Sequence, residues 1–135
     1  SNLSAFRTYF AKDFDYAKAG EADQVMGAAL LIHRAVIEKI GLLDEGYHIW
    51  FEEVDFCKRA KDAGWRVFYD PQFSIVHLGG ASFSQRLSTD KQKIFNASMR
   101  RYIKKNRGFL PWLLLVCLHP ASMLLAWGSE FHRKK

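Results

Sequence analysis

Three carboxylates fall within four positions of the sequence, between two large aromatic residues and a basic, apolar run. They are Glu52, Glu53 and Asp55, and Trp50 and Phe51 directly precede them. Carboxylates this dense can complement the dipole at the start of a helix. Alternatively, one of them can act as a general base, because partial burial raises the basicity of a carboxylate. Spacing alone leaves both uses open.

A helix is predicted over Glu52–Ala63, with its acids in the first turn and its bases later. On the helical wheel Glu53 lies at the top of the apolar, inward face. Asp55 lies on another face, where Arg59 at i+4 and Lys58 at i+3 are the expected ion-pair partners. The wheel therefore makes Glu53 the candidate base and Asp55 a positioning residue that acts through Arg59.

Apolar runs on both sides of this helix predict an α/β fold. Val25–Ile32 is a continuous apolar run that fits a strand covered on both faces, and Gly27 within it leaves room for a close neighbour or ligand. Trp65–Tyr69 and Phe73–His77 are predicted as two further strands, and Arg34–Ile40 as a short helix ended by a glycine.

Two other side chains have both a structural and a functional interpretation. His77 ends a predicted strand and is followed by Leu78, Gly79 and Gly80, whose flexible backbone permits close approach of a ligand. It is either a hydrogen-bonded histidine at a strand end or a contact to a metal or diphosphate. Trp50 can either stack on a sugar or pack in the core, whereas Trp65 is expected in the core.

Length and composition indicate one folded domain. The chain has 135 residues, of which 49% are hydrophobic and 15% aromatic, and this excludes a disordered chain. Its two cysteines show neither a disulfide framework nor a CxxC spacing, so a reducing compartment is expected. Residues 1–24 are expected to form a lead-in segment, either a short helix or irregular. Asp13 and Asp15 within it are formally a D-x-D but lack the preceding hydrophobic strand.

The net charge of +6 is concentrated in the C-terminal part. Residues 1–99 carry 12 Lys and Arg against 13 Asp and Glu, a net −1, whereas residues 100–135 carry 8 against 1, a net +7. Phe109–Trp127 is largely apolar and close to the roughly 20 residues of a membrane helix, although it contains two prolines and a histidine. Flanking bases and terminal tryptophans predict a segment on an anionic membrane surface. A buried helical hairpin is the alternative, and nucleic-acid binding is not expected because the body is neutral.

Several motifs occur together in a fixed order, and they resemble the C-terminal half of the catalytic domain of family 2 glycosyltransferases. The resemblance is to the bacterial rhamnosyltransferase and galactofuranosyltransferase type, and it covers about residues 22–85. The motifs are Val25–Arg34, Gly41–Glu45, Phe51–Arg59, Ala63–Val67 and His77–Ser82.

The resemblance implies a GT-A (Rossmann-like) fold and an inverting transfer of a sugar from a nucleotide-sugar to an acceptor hydroxyl, with Mg²⁺ or Mn²⁺ as cofactor. It places the general base at Glu53, next to Glu52, where the family more often has Asp. It also makes His77 a metal contact. We predict that Gly27, Trp50 and Arg59 contact the substrate.

The resemblance also implies a missing part, since the nucleotide-binding strands and the true D-x-D of the family precede the matched region. We therefore expect a fragment with three segments: the lead-in 1–24, the C-terminal half of a GT-A domain at 25–99, and a membrane-associating segment at 100–135. The isolated fragment should be inactive. The intact parent should act in envelope polysaccharide synthesis on a glycan or lipid-linked acceptor, at the cytoplasmic face of the membrane. The alternative is a non-catalytic, membrane-docked binding module derived from that fold.

Overall fold

The computed structural model describes residue 11, residues 14–77 and residues 88–133, and it is rich in helix. The predicted glycine turn after His77 and the first acid of the formal D-x-D lie outside these residues. The elements in chain order are β1 (Gly20–Glu21), a 3₁₀ turn (Gly27–Ala29), α1 (Arg34–Ile40), α2 (Glu52–Asp62), β2 (Phe68–Tyr69), α3 (Ser88–Arg107) and α4 (Phe109–Arg133).

The two strands form a small antiparallel sheet that ties the lead-in segment to the middle of the chain. Gly20 pairs with Tyr69 and Glu21 with Phe68. The ring of Tyr69 also contacts Phe14 and Tyr16 edge-on, with centroids 5.6 Å away in both cases. This arrangement of helices with a two-stranded sheet is compatible with part of an α/β fold.

Helix α1 spans the predicted residues Arg34–Ile40 and ends at the predicted glycine. The Nδ1 atom of His33 accepts a hydrogen bond from the backbone N–H of Ala35, which caps the first turn. Gly41 ends the helix with φ of +79°, a conformation that glycine adopts without strain, and its N–H donates to the carbonyl of Ile37. The prediction of this helix is confirmed.

Helix α2 packs on α1 and forms the core. Val36, Phe56 and Ala60 are buried together. Their partly buried neighbours are Ile32, Ile37, Ile40, Leu43 and Trp65. The predicted helix over 52–63 and the predicted core position of Trp65 are therefore confirmed.

The strand predictions were largely wrong. Residues 25–32 contain the 3₁₀ turn instead of a strand, and residues 73–77 are unpaired. Of the predicted strand Trp65–Tyr69, Phe68–Tyr69 is strand. A strand needs a hydrogen-bonded neighbour, and in the part of the chain described here neither 25–32 nor 73–77 has one. Leu31 and Val76 are accordingly 94% and 91% exposed.

Helices α3 and α4 form an antiparallel hairpin around Gly108, whose φ is +88°. Asn96 of α3 lies 2.9 Å from the His119 ring and donates to the hydroxyl of Ser122 at 2.7 Å. The position between residues 99 and 100, where the third segment was predicted to begin, lies within α3.

Helix α4 is a single helix that continues through Pro120. Phe109–Ser129 is long and apolar enough to cross a membrane by length and composition, and 6% of this window is buried. The hairpin of the alternative interpretation is therefore present, but the outer face of its second helix is exposed. Leu110 and Leu125, at 77% each, are among its most exposed side chains.

Candidate active site

A left-handed turn precedes the acidic start of α2. Trp50 and Phe51 both have positive φ, at +63° and +71°. Each such residue costs about 1–2 kcal/mol when it carries a side chain, so surrounding contacts must hold the turn. Strain of this kind clusters at functional sites.

Helix α3 supplies those contacts. The ring of Phe95 lies 5.8 Å from that of Trp50 and 5.6 Å from that of Phe51, and the ring of Tyr102 also lies 5.6 Å from that of Phe51. The hydroxyl of Ser98 donates to the carbonyl of Ile49 at 2.8 Å. One face of α3 therefore fixes the backbone that presents the acids.

Glu52 and Glu53 are both partly buried at this helix start. Each has a buried Oε2 atom with no hydrogen-bond partner. Burial raises the pKa of Glu53, and the neighbouring charge of Glu52 adds to the effect. A carboxylate of raised pKa that keeps one oxygen without a hydrogen-bond partner is suited to accept a proton.

Gly27 lies against Glu53. A Cβ atom added to Gly27 would lie 3.6 Å from the Cβ of Glu53. The 3₁₀ turn therefore passes close to the acid, and a larger side chain at Gly27 would fill the space beside it.

Asp55 lies at the centre of a buried network. It is 0% exposed, and its carboxylate accepts hydrogen bonds from Arg59 Nε at 2.8 Å and Lys105 Nζ at 2.9 Å. Tyr47 and Asn106 also donate to it, each at 3.4 Å. Burial by itself would raise the pKa of Asp55, but these hydrogen bonds, led by that of Lys105, outweigh burial and hold the pKa below its usual range.

Arg59 connects this network to the loop that follows α1. Its two terminal nitrogens donate to the carbonyls of Ile40 at 2.6 Å and Leu42 at 2.8 Å. The predicted pair of Asp55 with Arg59 is confirmed, whereas the predicted contact of Asp55 with Lys58 is wrong. Lys58 pairs with Asp62 at 2.7 Å, one turn further along its own face.

A second carboxylate, Asp44, extends the network. It accepts from Arg101 at 2.7 Å and from Lys105 at 3.1 Å, and its other contact is the backbone N–H of Gly46. The hydrogen bond from Arg101 is the main reason why the pKa of Asp44 lies far below its usual range, and burial opposes it. Lys105 thus bridges Asp44 and Asp55.

The sequence did not indicate the partners of Asp55 and Asp44 that lie on α3. Lys105 and Asn106 are about fifty residues from Asp55, and they belong to a basic run that was assigned to membrane contact. The turn around Asp44 had a local signal, since an Asp followed two residues later by Gly commonly forms such a turn. The aromatic contacts of Phe95 and Tyr102 had no local signal in the sequence.

The predicted metal contact does not form a metal-binding cluster with the acids in the described part of the chain. His77 is exposed, and within residues 14–77 and 88–133 no three His, Cys, Asp or Glu side chains lie close enough to hold a metal ion. Glu52 and Glu53 offer two free oxygens, the atoms that Mg²⁺ and Mn²⁺ prefer. Two oxygens do not make a complete ligand set, so the described residues do not form a metal site by themselves.

A shallow pocket of about 390 Å³ adjoins the left-handed turn. Trp50 and Phe95 supply its aromatic surface, and Lys91 and Gln92 supply polar groups. An aromatic face beside hydrogen-bonding side chains suits a sugar. The interpretation of Trp50 as a substrate contact thus has a cavity to support it, although its contact with a substrate stays a prediction.

The sequence is similar to known proteins of one kind. Rhamnosyltransferase WbbL of Escherichia coli is 28% identical over 91 residues, which are 64% of this chain and 34% of that protein. An N-acetylglucosaminyl-diphospho-decaprenol L-rhamnosyltransferase of Mycobacterium tuberculosis is 35% identical over 51 residues, 38% of this chain and 17% of that protein. The low-salt glycan biosynthesis hexosyltransferase Agl10 of Haloferax volcanii is 38% identical over 39 residues, 29% of this chain and 13% of that protein.

The chain therefore spans about a third of the first of these relatives and less of the other two. No family model matches the sequence, and no solved structure matches it. The chain is thus related, distantly and over part of their length, to glycosyltransferases of glycan synthesis.

Proposed function

We propose that the full-length protein is an inverting glycosyltransferase that transfers a sugar from a nucleotide-sugar to an acceptor hydroxyl, with Glu53 as the general base. One observation carries the proposal: a partly buried glutamate with raised pKa and an unsatisfied oxygen stands at a helix start behind a strained turn. The similarity to rhamnosyltransferases and a hexosyltransferase supports the reaction class.

The reaction needs a proton acceptor at the attacking oxygen. As this oxygen forms its bond to the anomeric carbon, the bond from that carbon to the diphosphate breaks, and the nucleoside diphosphate leaves with the bonding electrons. The acceptor hydroxyl loses its proton to the carboxylate of Glu53. Attack from the face opposite the leaving group inverts the anomeric centre. A base positioned in this way contributes about 10²–10⁴-fold to the rate.

The three acids have different surroundings, and this favours Glu53. Asp55 has its charge neutralised by Arg59 and Lys105, so it is a poor proton acceptor and a good anchor for the start of α2. Glu52 places a negative charge beside Glu53, which increases the affinity of Glu53 for a proton. In the proposal Glu52 therefore tunes the base, and Asp55 and Arg59 position it.

The pocket beside Trp50 is the proposed site for the acceptor sugar. It borders the same turn that leads into Glu52 and Glu53, so a sugar stacked on Trp50 would lie near the start of α2. The Mycobacterium tuberculosis relative is named for a diphospho-decaprenol, a lipid-linked acceptor. We propose a lipid-linked or envelope glycan acceptor for this protein also.

The proposal includes a GT-A domain of family 2 to which this chain contributes the C-terminal part. Exposed apolar side chains within 25–32 and 73–77, such as Leu31 and Val76, support it, since both segments would suit strands that pair with further sheet. The donor and a divalent cation would then be held mainly by other parts of that domain. His77 stays the predicted cation contact of this chain.

Peripheral attachment to the cytoplasmic face of the membrane completes the proposal. Its support is the exposed apolar face of α4 beside the basic end of α3. A protein acting on a lipid-linked acceptor has to work at that surface.

The test is transfer by the full-length protein carrying Glu53→Gln. With nucleotide-activated rhamnose as the first donor tried, we expect the rate to fall about 10²–10⁴-fold. Glu38→Gln is the matched control, because Glu38 is exposed and pairs with the exposed Arg34 on α1. Unchanged transfer in Glu53→Gln would refute the assignment of the base.

The same assay separates the enzyme from the non-catalytic binding module. A module of that kind would show no transfer in the unaltered protein with any nucleotide-sugar, while still binding the glycan. Transfer by the unaltered protein would exclude the module.

A further inference from the structure

A cationic pocket lies at the closed end of the α3–α4 hairpin. Its volume is about 410 Å³, within the range of roughly 300–1,000 Å³ common for small-molecule sites. The residues that line it are Asp44, Arg100, Arg101, Lys104, Lys105 and Trp112. Four cations facing one carboxylate make it a site for an anion.

Two of these cations already have partners, and two are available. Arg101 and Lys105 are bound to Asp44, and Lys105 also to Asp55. Arg100 has no ion pair with any residue described in the structure, and Lys104 lies 5.1 Å from the centre of the Trp112 ring without a carboxylate partner there. Arg101 and Lys105 are therefore held in place at one side of the pocket, and Arg100 and Lys104 can bind a ligand.

The available cations suit a phosphate group. An arginine guanidinium binds two phosphate oxygens at once, and a lysine adds a point charge. Arg100 and Lys104 are separated by one helical turn, so both can reach one phosphate or a diphosphate from the same side.

The surroundings of Trp112 indicate that this phosphate belongs to a lipid. The Phe109 ring lies 5.5 Å from the Trp112 ring and is 62% exposed, and Leu113 and Val116 beside them are 40% and 37% exposed. Tryptophan is enriched at the level of lipid headgroups. A phosphate in the pocket would thus have an apolar strip next to it for an acyl or prenyl chain.

We propose that this pocket binds the phosphate headgroup of an anionic lipid, held by Arg100 and Lys104 with its chain along Phe109, Leu113 and Val116. The inference rests on the proposed membrane attachment and gives it a specific site. Bulk charge alone would not need a pocket, whereas a headgroup site requires these two cations.

The experiment measures vesicle binding of the full-length protein with no donor sugar present, so its failure leaves the assignment of Glu53 untouched. The vesicles are phosphatidylcholine with and without a minor fraction of phosphatidic acid. The variant is Arg100→Gln with Lys104→Gln. Because each cation near such a surface is worth about 1 kcal/mol, we expect binding to phosphatidic acid to weaken about 30-fold.

The matched control is Arg66→Gln with Lys39→Gln, which removes the same charges from exposed positions outside the hairpin. We expect it to stay within about threefold of the unaltered protein, because the pocket is kept and distant surface charges are screened. Equal loss of binding in both double variants would overturn the proposal in favour of non-specific electrostatic attraction. Loss of binding in neither would overturn it in favour of the apolar face of α4 alone. Equal binding to pure phosphatidylcholine would also overturn it.

Soluble ligands give the remaining outcomes for the unaltered protein. Weak competition by inorganic diphosphate supports a lipid ligand, because the apolar strip would then contribute to affinity. Binding of inorganic diphosphate as tight as that of the vesicles would assign the pocket to a soluble phosphate instead. Salt-dependent binding of RNA, lost in Arg100→Gln with Lys104→Gln and unaccompanied by vesicle binding, would assign it to nucleic acid.

Discussion

Replacement of Asp55 by Asn should strongly destabilise the fold. The carboxylate is completely buried and binds the charged groups of Arg59 and Lys105. The amide of Asn has no charge, and its NH₂ group is a donor that would face other donors. Removing one partner of a buried ion pair costs about 3–5 kcal/mol when the other charge is left uncompensated.

The two cations reduce this figure, because neither would be stranded. Their side chains are 20% and 38% exposed, Arg59 still donates to two backbone carbonyls, and Lys105 still contacts Asp44. We therefore expect a loss of about 2–3 kcal/mol in the free energy of unfolding. For a slope of about 2 kcal/mol per molar urea, this lowers the midpoint by about 1–1.5 M.

The assay is urea unfolding of the full-length protein at neutral pH, followed by circular dichroism. Asp62→Asn on the same helix is the control, because Asp62 also pairs with a lysine four residues away but is 61% exposed. It should change the free energy of unfolding by no more than about 0.5 kcal/mol. If the two variants have the same midpoint, the buried network does not stabilise the fold as argued.

Three further predictions concern the site. Since the base must be deprotonated and the pKa of Glu53 is raised, kcat/KM should fall as pH decreases, with the fall centred above the ordinary value of 4.5; a fall centred at or below 4.5 would contradict this. His77→Ala should raise the Mn²⁺ concentration needed for half-maximal transfer, and an unchanged requirement would exclude His77 as a cation contact. Ser98→Ala removes the hydrogen bond to the Ile49 carbonyl and should destabilise the protein by about 1 kcal/mol, whereas Ser129→Ala, whose hydroxyl bonds one turn back on α4, should have a smaller effect.

Local features of the sequence predicted the helices well. The end of α1 at Gly41 and the extent of α2 follow from rules that operate within a few residues. The ion pair of Asp55 with Arg59 is of the same kind, because it joins positions one turn apart.

Features that depend on distant partners were not predictable. Residues 25–32 and 73–77 have the composition of buried strands, but a strand also requires a neighbour, and the sequence of the run cannot specify one. The burial of Asp55 likewise depends on α3 covering its face, with Lys105 fifty residues away.

The basic run of α3 illustrates the same difficulty. Charge counting alone predicts a surface role for Arg101 and Lys105, whereas Arg101 binds Asp44 of the loop and Lys105 binds both Asp44 and Asp55 of α2. Arg100 and Lys104, their neighbours in sequence, have no such partners in the described structure. The role of each cation depends on its position around the helix more than on how many cations the run contains.

Helix α3 contributes residues both to the pocket beside Trp50 and to the cationic pocket. Phe95 borders the turn before the acids, and Lys104 lines the cationic pocket, nine residues further along the helix. At 1.5 Å per residue these levels are about 14 Å apart along the axis. If a lipid phosphate binds at one level and the acceptor sugar at the other, α3 fixes the distance between the two sites. It would then select acceptors by the distance between their lipid anchor and the hydroxyl that receives the sugar.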